Sequence, residues 1–228
     1  GDKPQIGPEA AGRPAVAARF VLYLFDDLHL QFSDLYRVRE AAARVLANSF
    51  QPGDRVAIHT TSGRVSVVFT GSQAKIQSAL RRVKSESTAA ELVTRCPGIG
   101  YYLADLIVNK SDGQALNAAT AQYAACSGND QVSTQETLTI ARSVLREHEA
   151  RTLQTVRTIR NAVQWLADRP GQRTLVLLSP GFLLPLDEQR QFDEIISRAI
   201  RAHVAISTLD ARGLQTVPGF DASVNTPA

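Results

Sequence analysis

The chain has 228 residues, 44% of them hydrophobic, which is enough for one large α/β domain or two small ones with a real core. Its 25 basic and 22 acidic residues leave a net charge of +3. With no long Lys/Arg run and only 6% aromatic residues, a nucleic-acid-binding arm is not expected. No apolar stretch approaches the roughly 20 residues of a membrane helix, and a chain that opens on Gly1 and holds no methionine is expected to have lost a targeting segment.

Residues 1–18 carry Pro, Gly and Ala without periodicity and read as a lead-in. The run Val21-Leu22-Tyr23-Leu24-Phe25 then ends abruptly in Asp26-Asp27-Leu28-His29. Aromatic and branched residues in such a run predict a strand buried on both faces, over about 20–25. Ser33-Asp34 gives an N-cap signal, and Leu35, Val38, Ala42, Val45 and Leu46 recur at helical spacing, predicting a helix over 34–48. After the turn Gln51-Pro52-Gly53-Asp54, a second strand is predicted over 55–60. A third over 65–69 must run antiparallel, because four residues cannot make a crossover. A helix over 73–84 follows, capped by Ser72.

The segment 86–132 breaks the alternation. It holds both cysteines, Cys96 and Cys126, and two Ala-rich helical stretches over 101–109 and 114–125. It reads as an inserted helical subdomain. Two cysteines bracketing one segment suit a disulfide in an exported protein; the other reading is a pair of buried thiols in a cytosolic one. Ser133-Thr134-Gln135-Glu136 is a capping box, and helical periodicity continues to about Asp168. A helix that long must project beyond the sheet and pack on the insertion, or break near His148. Its charged face, including Arg142, Arg146 and Arg157, is solvated surface or a docking face. A buried strand over 174–178, a helix over 186–202 and a strand over 203–209 complete the pattern, with a meandering tail over 215–228. Strand, helix, hairpin, helix, insertion, helix, strand, helix, strand predicts a doubly wound α/β sheet, mostly parallel, with one antiparallel edge strand and a helical insertion.

Five motifs carry a family resemblance: Leu24-Phe25-Asp26-Asp27-Leu28; Gln51-Pro52-Gly53-Asp54-Arg55-Val56-Ala57; Phe69-Thr70; Thr174-Leu175-Val176-Leu177-Leu178-Ser179-Pro180-Gly181-Phe182; and Leu209-Asp210-Ala211-Arg212-Gly213-Leu214. Over residues 19–214 the chain resembles a von Willebrand factor type A domain, and more narrowly the type A-related family of acidobacterial proteins. That resemblance implies a Mg²⁺ site at the top of the sheet, built from Asp-x-Ser-x-Ser, a distant Thr and a second Asp, open to a partner's carboxylate. Asp26 matches the first Asp. Leu28 and Leu30 stand where the serines belong, and Pro180 stands where the second Asp belongs. The threonine has no evident counterpart. The site is therefore read as degenerate, with no metal and no cofactor expected.

Ligands of open α/β sheets bind beyond the carboxyl ends of the strands. The candidate surface is accordingly Asp26, Asp27, His29 and Ser179 with the inserted helices. Asp26 and Asp27 are expected to point in opposite directions, as neighbours on a strand do, which makes them a poor acid–base pair. Asp27 is expected to cap the turn after it, with His29 packed on it. Ser179 follows a buried strand but lacks the Gly-x-Ser-x-Gly elbow, so a hydrogen-bonding or turn-forming role is expected. His59 has no visible partner, and Asp210 is expected to stabilise the turn at Gly213. No nucleotide-binding Gly-rich motif occurs. The expectation is a non-catalytic, exported domain of adhesion type that binds another protein. The alternative is a metal-dependent hydrolase using Asp26, Asp27 and His29.

Overall fold

The computed structural model describes residues 19–85, 96–185 and 188–211. Five strands form one sheet: β1 (Arg19–Phe25), β2 (Arg55–Thr60), β3 (Ser66–Thr70), β4 (Gln172–Ser179) and β5 (Val204–Asp210). Their order is β3-β2-β1-β4-β5, parallel except for the antiparallel pair β2–β3. The described helices are α1 (Phe32–Ser49), α2 (Gln73–Arg82), α3 (Tyr101–Val108), α4 (Gly113–Ser127), α5 (Thr134–Ala167) and α6 (Gln189–Arg201). This is the doubly wound α/β arrangement that the alternation predicts. No described helix is long and apolar enough to cross a membrane.

The central strand shows why its sequence is a continuous apolar run. Tyr23 and Phe25 pack with Val56, Ile58, Leu35, Val38 and Ile76 on the α1/α2 side. Leu22 and Leu24 pack with Ala57, Leu175, Leu177, Val156, Ile159 and Val163 on the α5/α6 side. Successive side chains enter opposite cores, so every position is apolar. Helix α1 starts earlier than its capping signal suggests: Gln31 is the N-cap, without a side-chain bond. Asp34 instead lies inside the first turn, 7% exposed, and pairs with Arg37.

Helix α5 is unbroken over 34 residues, about 50 Å at 1.5 Å per residue. Its capping box forms, with Ser133 Oγ accepting from the Glu136 N–H and Glu136 accepting from the Ser133 N–H. Its C-terminal half covers the sheet. In the N-terminal half, Ala141, Val144 and Leu145 bury a third cluster with Ile99, Ala104 and Ile107 of the insertion. That contact keeps so long a helix from ending at the sheet edge. Arg142, Arg146 and Arg157 are exposed.

Cys96 and Cys126 are joined, with Cα atoms 5.8 Å apart, inside the range a disulfide spans. The bond closes a loop with a sequence separation of 30 around a cluster rich in alanine. Replacing both cysteines by serine is expected to lower stability by about 3–4 kcal/mol in the chain-entropy model. Urea unfolding of the two proteins checks this, and thiol titration of the denatured, unreduced protein is expected to find no free thiol.

Candidate functional site

The parallel register places three polar residues side by side. Phe25 pairs with Thr60 on one flank and with Leu178 on the other. The next residue on each strand is therefore level with the others: Asp26, Thr61 and Ser179. Each also continues the face carried two residues earlier by Leu24, His59 and Leu177, the face covered by α5. The ladder extends into these positions, since the Asp26 N–H donates to Leu178 O (2.9 Å) and the Thr61 N–H to Phe25 O (2.9 Å).

Asp26 is fully buried, and four protein donors converge on its carboxylate. Thr61 Oγ1 (3.1 Å) and Thr155 Oγ1 of α5 (3.1 Å) donate to Oδ1, and Ser179 Oγ (2.7 Å) donates to Oδ2. His29 Nδ1 lies 2.9 Å from Oδ1 and 3.0 Å from Oδ2. His29 reaches back because the chain turns there: Asp26 O accepts from the N–H groups of His29 (3.1 Å) and Leu30 (2.9 Å). Ser179 both bonds to Asp26 and accepts from the Gly181 N–H (3.0 Å), shaping a turn in which Gly181 has φ +87°.

Asp27 is also fully buried, but its partners belong to the β2–β3 turn. It accepts from the Ser62 N–H (2.9 Å), Ser62 Oγ (2.5 Å) and Thr61 Oγ1 (3.1 Å). Three expectations differ from the structure. The aspartates do not diverge: β1 ends at Phe25, so strand alternation no longer governs them, and both meet the Thr61 hydroxyl. Its single hydrogen serves one carboxylate at a time. Asp27 caps the turn of the neighbouring strand rather than its own, and His29 packs on Asp26 rather than on Asp27.

The imidazole has a second partner. A carboxylate only accepts hydrogen bonds, so Nδ1 carries a hydrogen, and in the neutral ring Nε2 presents its lone pair. Nε2 faces Thr152 Oγ1 of α5 at 3.5 Å. Elsewhere on that helix threonine hydroxyls bond the carbonyl one turn back, as Thr137 does to Ser133 O, Thr139 to Gln135 O and Thr158 to Gln154 O. Thr152 and Thr155 turn instead to His29 and Asp26. Phe182, after β4, stacks on the imidazole with ring centres 5.6 Å apart.

The type A resemblance implies a Mg²⁺ ion here, but the residues do not fit it. Mg²⁺ demands near-octahedral oxygens at about 2.0–2.1 Å. The Asp26 carboxylate is engaged by the Thr155 and Ser179 hydroxyls and the His29 ring, with Thr61 shared between it and Asp27, and Leu28 and Leu30, where the pattern has serine ligands, are buried apolar side chains. Among the described residues no three His, Cys, Asp or Glu side chains gather to hold a metal. Two threonines that the sequence did not single out, Thr61 and Thr155, meet Asp26. A clue to them was present in the sequence: Thr152 and Thr155 interrupt the apolar stripe of α5, and Thr60-Thr61-Ser62 ends β2. Asp210 closes β5, beside Ser179 on β4; the Gly213 turn lies outside the described residues.

His59 lies on the same face of the sheet. Its ring meets Trp165 edge-on at 4.9 Å, and burial holds its pKa below the ordinary 6.5. On acidification the unfolded chain takes up this proton first, so stability is full above about 6.5 and is lost as pH falls toward the lower folded value. Melting temperatures from about pH 7.5 to 5.5 are expected to fall more steeply for the wild type than for His59→Gln.

The chain matches no described family and no curated sequence. Among solved structures it is similar to a haloacid dehalogenase-like family hydrolase from Xanthomonas campestris, at 14% identity and a TM-score of 0.25, over 85% of this chain and 63% of that one. The chain thus spans less than two thirds of that protein's length. That neighbour is described as a hydrolase, and nothing in the comparisons supports a non-catalytic adhesion domain. At this TM-score it carries no argument of its own, and the correction rests on the site. Asp26 and Asp27 are 0% exposed, Ser179 is 7%, and the His29 side chain is 7%. Residues so buried cannot form the face on which a protein partner docks. The adhesion reading, and with it the expectation that the chain is not an enzyme, is withdrawn.

Proposed function

We propose that the chain is a hydrolase acting by acyl transfer, with Thr152 as nucleophile, His29 as general base and acid, and Asp26 as the group that orients His29. One observation carries this reading: Asp26 holds one imidazole nitrogen with both oxygens while the other nitrogen faces the Thr152 hydroxyl. A base oriented by a third group and within reach of a hydroxyl is the arrangement that activates a weak oxygen nucleophile. A separation of 3.5 Å is loose, as such contacts often are before substrate binds. The hydrolase alternative read from the sequence keeps Asp26 and His29 here. Asp27 is instead committed to Ser62, and no metal ion enters the scheme.

In the reaction, Thr152 Oγ1 attacks the acyl carbonyl carbon as its proton passes to His29 Nε2. The imidazolium so formed is stabilised by the Asp26 carboxylate. His29 then gives the proton to the departing oxygen as the carbon–oxygen bond breaks, leaving acyl-threonine. Water repeats the sequence, its proton going to His29 and then back to Thr152 Oγ1 as the acid leaves. Thr152 is 3% exposed and Phe182 stacks on the imidazole, so the scheme requires that ring to move aside before an ester can reach the pair. The type A resemblance remains our proposal for the scaffold, and export remains our proposal for location, supported by the Cys96–Cys126 bond.

The test is a screen of chromogenic short-chain esters with and without EDTA. Turnover that survives EDTA and disappears in His29→Gln is the expected result. Turnover that needs added metal, or that His29→Gln leaves unchanged, overturns the scheme.

A further inference from the structure

A second feature lies on the other side of α5 from His29. Helices α5 and α6 pack on β1, β4 and β5, while towards the far end of β2 it is the Trp165 ring of α5 that meets His59. A cleft of about 450 Å³ opens there between the β2–β3 turn and α5. That volume falls in the range of small-molecule sites, roughly 300–1,000 Å³. Its floor is apolar, made by Leu22, Leu24, Ala162 and the indole of Trp165. Its walls carry hydrogen-bonding groups: Gln154, Thr158 and Asn161 from α5, and Ser62 from the turn. Gly63, with φ +78° and open space where a side chain would begin, keeps the turn side of the rim low.

Two properties define what fits. No Asp, Glu, Lys or Arg lines the cleft. His59, the one titratable group that does, is held neutral by burial at physiological pH. Among the lining residues an ionic ligand would find no counter-charge; the Arg169 guanidinium is engaged over the Phe69 and Trp165 rings, 5.4 and 5.8 Å from their centres. Several polar groups are also unspent. Gln154 uses its amide N–H on Thr61 O (3.0 Å), which leaves its carbonyl oxygen. Among the described residues neither the Asn161 amide nor the Trp165 indole N–H has a hydrogen-bond partner. A purely apolar ligand would strand them, at about 1–3 kcal/mol for each group desolvated without a partner. The occupant must therefore be uncharged, with an apolar face for the floor and several hydroxyl or amide groups for the walls.

We propose that this cleft is a binding site for a neutral carbohydrate of one or two sugar units. A pyranose has apolar C–H faces and a rim of hydroxyls that both donate and accept, matching an aromatic and aliphatic floor flanked by two carboxamides and two hydroxyls. The proposal is independent of the chemistry at Thr152 and stands or falls without it.

Trp165 is the chain's single tryptophan, so its emission reports on this cleft alone. The full chain is titrated with glucose, N-acetylglucosamine, maltose and cellobiose, and in parallel with glucuronate, glucosamine and adenosine. The expected result is a saturable change in tryptophan emission with at least one neutral saccharide, with no saturation by the two charged sugars. The dissociation constant is expected to rise at least tenfold in Asn161→Ala, an exposed position whose loss leaves the fold intact by circular dichroism. No saturable change with any neutral saccharide overturns the proposal. So does saturation by adenosine alone, or a saccharide response that Asn161→Ala leaves unaltered.

Discussion

Replacing Asp26 by alanine is expected to lower the unfolding free energy by about 3–5 kcal/mol, the range seen when one partner of a buried charged network is removed. Asp26, the residue after β1, ties four elements to that strand: its own turn through His29, β2 through Thr61, β4 through Ser179 and its backbone N–H, and α5 through Thr155. The substitution leaves four buried donors without the acceptor they share. A domain of this size has only about 5–15 kcal/mol in total, so the variant should be near the edge of folding. Ser179→Ala removes one hydrogen bond to a charged group and is expected to cost about 1.5–3 kcal/mol. Urea unfolding with an unchanged m value is the measurement. An Asp26→Ala loss under about 1 kcal/mol would show that the network does not hold the sheet edge together.

The second large effect concerns rate rather than stability. Thr152→Val keeps the shape of the side chain and removes only the hydroxyl, and is expected to reduce kcat/KM for a hydrolysed ester by about 10³-fold or more. Thr152→Ser restores an attacking oxygen and is expected to recover most of it. Residues that act as a unit are non-additive, so Thr152→Val combined with His29→Gln should lose little more than either alone. A fluorophosphonate probe is expected to add mass to a peptide containing Thr152 in the wild type and not in Thr152→Val. Labelling elsewhere, or equal turnover by the valine variant, would remove Thr152 from the scheme. Both variants must remain folded, which near-ultraviolet circular dichroism checks.

How much of this was readable in the chain depends on which interactions are local. The strand at 19–25, the capping box at Ser133 and the 3.6-residue stripes of α1, α2 and α5 depend on neighbours a few residues away, so their signals survive in one dimension. The antiparallel return of β3 was readable because a four-residue connection allows nothing else. Ser33-Asp34 resembles a cap, yet the N-cap of α1 is Gln31. Burial of Leu30 (0% exposed) and of Asp34 drew the start of the helix two residues earlier.

The site was legible only in its first member. Asp26 is conspicuous, a carboxylate at the end of an apolar run. Its partners Thr61, Thr155 and Ser179 stand 35, 129 and 153 residues away, and threonine and serine are too common to be singled out by type. Reading Asp26, Asp27, His29 and Ser179 as an exposed docking face assumed that polar residues at a strand end look outward. Here Asp26, His29 and Ser179 look toward α5, which closes over them, and Asp27 looks into the β2–β3 turn.

The sequence by itself determined the layers, the element order, the antiparallel edge and the carboxylate at the head of the central strand, because these follow from periodicity, capping and connection length. Only the tertiary structure decided what that carboxylate meets. The in-register pairing of β1 with β2 and β4 sets Asp26, Thr61 and Ser179 at one level and on one face. The long helix then brings Thr152 and Thr155 across that level, one hydroxyl to the imidazole and one to the carboxylate. Register and helix placement are set by packing between distant segments, and packing between distant segments leaves no local mark in the chain.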